Sequence, residues 1–106
     1  MTDANWTRVA HVAEIAPGTG IEVTAEGRVL AVYNVNGEIH VTEGICPHAG
    51  GPLGKGTLTE SVVTCPWHGW QFDVCTGRHM LSEQIKVPCF PAKVEGDEIF
   101  VQLNPA

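Results

Sequence analysis

Basic side chains are scarce in this chain of 106 residues. Six lysines and arginines stand against twelve aspartates and glutamates, for a formal charge of −6. A nucleic-acid binder needs a basic face, so that class is excluded. Long apolar runs are also missing, and no stretch approaches the roughly 18 residues that a membrane helix requires. The opening Met1-Thr2-Asp3-Ala4-Asn5-Trp6 has neither the basic n-region nor the apolar h-region of an export signal, so the expected location is cytoplasmic. No hydrolytic constellation appears, and no glycine-rich phosphate loop or dinucleotide fingerprint follows a strand. The chain therefore has no means of its own to bind a nicotinamide or a flavin.

What is present favours strands. Thirteen Val, six Ile and nine Thr outweigh five Leu and two Met, and β-branched side chains suit a pleated, half-buried surface. Twelve Gly and seven Pro cut the chain into short pieces. The length fits one domain, residues 1–106, and the expected fold class is all-β. Strands are expected at Trp6 to Val9, Ile21 to Thr24, Arg28 to Val35 and Glu38 to Thr42, with a helical turn at Val12 to Ile15. Asn36-Gly37 between two strand-like runs predicts a type I′ hairpin, because both residues accept positive φ. Gly96-Asp97, between Ala92 to Glu95 and Glu98 to Leu103, repeats the pattern. Between the hairpins, residues 45–84 form an irregular insert that holds most of the distinctive chemistry, as loops on a rigid sheet scaffold often do.

That insert carries Cys46-Pro47-His48-Ala49-Gly50-Gly51 and Cys65-Pro66-Trp67-His68-Gly69-Trp70. Each element sets one thiol close to one imidazole, and sixteen residues separate His48 from Cys65. Thiolates and imidazoles converging from two loops make a soft or borderline metal site. Four such ligands would satisfy a structural zinc. A two-Cys, two-His finger, however, groups its cysteines together and its histidines together, whereas each loop here mixes the types.

Cys-x-His, sixteen residues, then Cys-x-x-His resembles the double signature of Rieske-type [2Fe-2S] proteins. The match continues through Gly50, Pro66, Gly69, Phe72-Asp73 and Thr76-Gly77. Length and hairpins are similar to the small Rieske ferredoxins of bacterial aromatic-ring-hydroxylating dioxygenase systems. The resemblance implies a small antiparallel β-sandwich with a two-loop cluster-binding insert. It also implies one [2Fe-2S] cluster per chain, with Cys46 and Cys65 on one iron and His48 and His68 on the other. Two neutral imidazoles in place of two thiolates make such a cluster less negative and raise its potential, to roughly −150 to +300 mV against about −400 mV for all-cysteine plant-type ferredoxins.

Departures from the wider family define the subclass. High-potential respiratory members carry an extra cysteine in each loop, and these pair as a disulfide. Gly51 and Trp67 occupy those positions here. Their serine and tyrosine hydroxyls, which donate to sulfur, are replaced by Trp70 and Phe72. A third loop, usually bearing proline, covers the cluster in the family. Its equivalent, about Met80 to Gln84, has none. Gly50, Gly51 and Gly69 let the backbone approach the cluster, although Gly51 reads equally well as a plain turn glycine.

The remaining residues have plainer readings. Cys75 and Cys89 are expected as small buried apolar side chains, and His11, His40 and His79 as surface or sheet histidines. Trp70 suits packing, whereas Trp67, next to a ligand, suits docking equally well. The expected function is that of a one-electron carrier and not an enzyme. It would act as a monomer in aromatic hydrocarbon catabolism, taking electrons from a flavin reductase and passing them to a terminal oxygenase. The alternatives are a Rieske-like small subunit of a larger complex, such as assimilatory nitrite reductase, and a structural zinc module.

With fewer donors to sulfur, the added electron is less stabilised. Protein-film voltammetry is expected to place the potential in the low half of the Rieske range, and a value above about +150 mV would refute this.

Overall fold

Alternation along one strand organises the molecule. The computed structural model describes residues 6–47, 50–67, 69–82 and 84–103. Within them, β1 (Trp6–His11) leads through a 3-10 turn (Val12–Glu14) to β2 (Thr19–Ala25), β3 (Arg28–Val35) and β4 (Glu38–Glu43). A second 3-10 turn (Leu53–Lys55) precedes β5 (Thr57–Thr59), β6 (Val62–Thr64) and β7 (Gln71–Asp73). The chain closes with β8 (Cys89–Phe90), β9 (Ala92–Glu95) and β10 (Glu98–Gln102). These form three antiparallel sheets, ordered β1-β10-β9, β2-β3-β4-β8 and β5-β6-β7.

In β3 successive side chains point to opposite faces. Leu30 and Val32 enter a core with Val41, Ile99 and Val101, beneath the first sheet. Ala31 and Tyr33 enter a second core with Leu53, Leu58, Val63 and Phe72, beneath the third. All four β3 residues are fully buried. The central sheet is thus covered on both faces: the first two sheets make the expected sandwich, and the third is laid on the other side. Fully burying a side chain as large as Phe72, which has no exposed surface, stabilises the fold by roughly 2–3 kcal/mol.

The expected elements are present with modest shifts in length. The helical turn at 12–15 is a 3-10 turn, capped by His11: its Nδ1 accepts from Ala13 N at 3.1 Å, and its own N–H donates to Glu14 Oε1 at 2.8 Å. Asn36 (φ +52°) and Gly37 (φ +96°) adopt the left-handed conformations of the I′ turn. Glu26 (φ +52°) and Gly27 (φ +79°) turn β2 into β3 in the same region, a hairpin that the sequence pattern did not single out. The segment expected to be irregular holds a sheet of its own, β5-β6-β7, with strands of only three residues each.

Asn34 ties these parts together. It is buried at the end of β3, its Nδ2 donates to Ile15 O at 2.9 Å, and its Oδ1 accepts from Gly37 N at 2.7 Å. Asn34→Ala leaves a buried carbonyl and a turn N–H without partners, which costs about 2–4 kcal/mol. The expected result is a clearly lower urea midpoint, and an unchanged midpoint would remove Asn34 from this role.

Candidate metal centre

Two loops at one end of the third sheet are each closed by the backbone of a cysteine. In the first, which follows β4, Cys46 N donates to Gly51 O and Gly50 N donates to Cys46 O, both at 2.9 Å. Ile45 bridges Pro52, and Leu53 N reaches back to Gly44 O at 2.9 Å. In the second, between β6 and β7, Cys65 N donates to Trp70 O at 2.7 Å. Both cysteines are buried and both are free thiols.

The loops interlock at the sulfurs. A Cβ on Gly51 would lie 2.8 Å from Cys65 Sγ and 2.9 Å from Trp67 Cγ, so the first loop packs against the second only because residue 51 has no side chain. Gly51 therefore serves close approach and is more than a plain turn. Gly50 (φ +77°) and Gly69 (φ +75°) serve conformation instead. Burial pushes the Cys65 thiol up; the Trp67 N–H, donating to Sγ at 3.4 Å, opposes this, and the adjacent Cys46 thiol reinforces it. A metal readily deprotonates such neighbouring buried thiols, because thiolates are the ligand form.

The other two predicted ligands, His48 and His68, lie outside the described residues. Among the described residues no group of three or more His, Cys, Asp or Glu is placed to hold a metal ion. The donor chemistry that is placed fits the cluster in its cysteine half: two adjacent thiols, one from each loop, with a main-chain N–H on sulfur and no space for a side chain at Gly51.

Behind the second loop the ring of Trp70 lies 4.6 Å from that of His79 and 6.4 Å from that of Phe72; His79 and Phe72 meet edge-on at 5.3 Å. Trp70 is partly buried against the core that contains both cysteines, in keeping with its packing role. His79 is a half-buried sheet histidine, bridged to Phe72 of β7. Its Nδ1 accepts from Leu81 N at 3.0 Å, and its buried Nε2 has no hydrogen-bond partner among the described residues. Only tertiary packing could have revealed this. His79 also lines a groove of about 370 Å³ with Gly69, Trp70, Gln71, Met80 and Leu81. Trp67 and Met80 are about half exposed, and Leu81 is 91% exposed. Cys75 and Cys89 differ from expectation. Both are exposed and not core, because one sits in a turn and the other on the edge strand β8.

Residues 5–91 match the profile of the Rieske [2Fe-2S] domain. The chain belongs to the Rieske family. Among the relatives of this Rieske chain, the ferredoxin component of the naphthalene 1,2-dioxygenase system of Pseudomonas aeruginosa is 36% identical over 102 residues, covering 93% of this chain and 96% of the relative. The ferredoxin component of the biphenyl 2,3-dioxygenase of Rhodococcus jostii is 33% identical and covers 92% of each. A chain in the complex of reduced oxygenase and oxidized ferredoxin in carbazole 1,9a-dioxygenase superposes with a TM-score of 0.87 at 34% identity, over 96% of both chains. The Rieske domain implies a Rieske cluster.

Gly51→Ala pushes a methyl group into Cys65 Sγ and the Trp67 side chain. The expected outcome is a several-fold loss of iron and acid-labile sulfide per chain with the far-ultraviolet circular dichroism retained. Full cluster content would contradict the close-packed reading.

Proposed function

We propose that Cys46, His48, Cys65 and His68 hold one [2Fe-2S] cluster per chain. The chain then serves as the ferredoxin component of an aromatic-ring dioxygenase system, taking electrons singly from a flavin-dependent reductase and passing them to a terminal oxygenase. The observation that carries this reading is the buried Cys46–Cys65 pair at the contact of two cysteine-closed loops. The likeness to dioxygenase ferredoxins along almost the whole of both chains supports it. When bound, the cluster supplies a site that gains and loses one electron.

The residues of the chain do the rest. The two loop closures hold the thiols at fixed positions. Gly51 admits close backbone approach, and the Trp67 N–H favours negative charge on Cys65 sulfur. Trp70 and Phe72 bring no hydroxyl to this region, which leaves the reduced state with less hydrogen-bond support. Trp67, Met80 and Leu81 expose apolar surface on and beside the second loop, and aromatic and Met side chains are enriched in docking surfaces. A net charge of −6 steers the molecule toward basic patches on its partners.

We read the chain as a single domain that acts as a monomer in the cytoplasm. Its four free cysteines suit a reducing compartment. Among the described residues no helix is long and apolar enough to cross a membrane.

Reconstitution tests the proposal. Purified flavin reductase and terminal oxygenase are expected to form product only when the cluster-loaded chain is present, at a rate that falls several-fold between low and high salt. Leu81→Asp is expected to lower turnover several-fold at unchanged cluster content. Equal turnover without the chain would end the carrier reading.

A further inference from the structure

Two thiols outside the metal centre converge on one short turn. Cys75 lies in the turn after β7, where its N–H donates to Asp73 Oδ1 at 2.8 Å and its Sγ lies 3.5 Å from His40 Nε2. Cys89 begins β8 and pairs with Thr42 of β4. His40 stands two residues from Thr42 on the same face, which makes it a diagonal neighbour of Cys89, at about 7–8 Å. The Cys89 thiol leans over the turn that holds Cys75. Its one hydrogen has two acceptors in reach, Val87 O at 3.8 Å and Val74 O at 3.9 Å, and the second is the carbonyl of the planar peptide unit that ends at the Cys75 α-carbon. A Cβ on Gly77 would come within 2.9 Å of the same sulfur. Gly77 N to Asp73 O and Val87 N to Gly77 O, both 2.7 Å, fasten the turn to the segment that leads into β8. Both cysteines are exposed and free.

We propose that Cys75 and Cys89 form a reversible disulfide, closed by a hydroperoxide and reopened by a thiol reductant. In the first step one sulfur attacks the peroxide: an S–O bond forms, the O–O bond breaks, and a sulfenic acid and one water result. In the second step the other thiol displaces that oxygen: the S–S bond forms, the S–O bond breaks, and a second water leaves. Two thiols and one hydrogen peroxide give one disulfide and two waters, with the two electrons lost by sulfur taken up by the peroxide.

Burial pushes the Cys75 thiol up, with Asp73 and Glu38 adding to the shift. Burial, Asp73 and Cys75 do the same for Cys89, against Lys86. His40 and Glu38, themselves 3.4 Å apart, also face this turn. Since the thiolate is the attacking form, closure accelerates as pH rises above neutral. The bond would brace both ends of residues 76–88, the segment that carries His79, Met80 and Leu81.

The test uses cluster-loaded protein treated with hydrogen peroxide, unfolded in excess iodoacetamide and digested with trypsin. Cleavage after Arg78 and Lys86 puts Cys75 and Cys89 on separate peptides, and fragment spectra distinguish Cys75 from Cys65 on the first. The expected result is a Cys75–Cys89 cross-link, lighter than the two reduced peptides by two hydrogens, that forms faster at alkaline pH and disappears with dithiothreitol. Cys75→Ser and Cys89→Ser, both at exposed positions, are each expected to abolish it. The melting temperature is expected to rise by roughly 10 °C on oxidation in the wild type and in neither variant, with iron content unchanged. Oxidation that stops at sulfenic or sulfinic acid, a cross-link through Cys65, or full alkylation of both thiols after peroxide would each overturn the proposal.

Discussion

Burial of β3 on both faces is the constraint on which the structure depends. A strand with one wet face can tolerate polar residues at alternate positions, but this one cannot. Leu30 and Val32 on one side and Ala31 and Tyr33 on the other are all fully enclosed, so a one-residue slip would exchange the contents of two cores at once. Tyr33 fills the core that supports the metal-centre loops, and its hydroxyl finds Thr42 Oγ1 at 3.3 Å. Burial raises that phenol far above its ordinary range, so it remains neutral. Across β2 the ring is admitted by Gly20, where a Cβ would stand 2.6 Å from Tyr33 Cδ1. The scaffold is therefore built outward from a central wall, and the site is attached to one face of it.

The division of labour follows from that wall. The core toward β1-β10-β9 is aliphatic and holds no thiol. The core toward β5-β6-β7 holds Cys46 and Cys65 among Leu53, Val63 and Phe72. Chemistry is confined to one layer, while the sandwich on the other side supplies stability through ordinary burial. The charged pairs that were placed, such as Arg8–Glu98 and Lys93–Glu95, lie at the surface at 3.4 and 3.0 Å, where such pairs contribute little.

What the sequence disclosed was local. Asn36-Gly37 announces its turn because positive φ is a property of those two residues. The Cys and His pairs suggest a metal site because ligand type and spacing are read without any knowledge of packing. Glu26-Gly27 makes an equivalent turn without the asparagine that draws attention. The β5-β6-β7 sheet was not legible, since three-residue strands in a glycine-rich stretch show no periodicity. Cys75 and Cys89 depart from expectation for a third reason. Cysteine is buried more often than not, but one of these sits in a turn and the other on an edge strand. The sheet position of His79 agrees with the pattern, but its enclosure by Trp70 and Phe72 does not show in it. Composition constrains none of these, because each depends on which distant residue arrives next to it.

Loop closure bears on speed. In both loops the residue that carries the thiol also donates the N–H that closes the loop, Cys46 to Gly51 and Cys65 to Trp70. The positions of the two sulfurs are thus set by main-chain bonds formed during folding. A cluster held there would find its surroundings already in place, and few protein atoms would have to move when it gained or lost an electron. Low reorganisation would let an electron move across a shallow free-energy gradient. A carrier built this way does not need a large driving force.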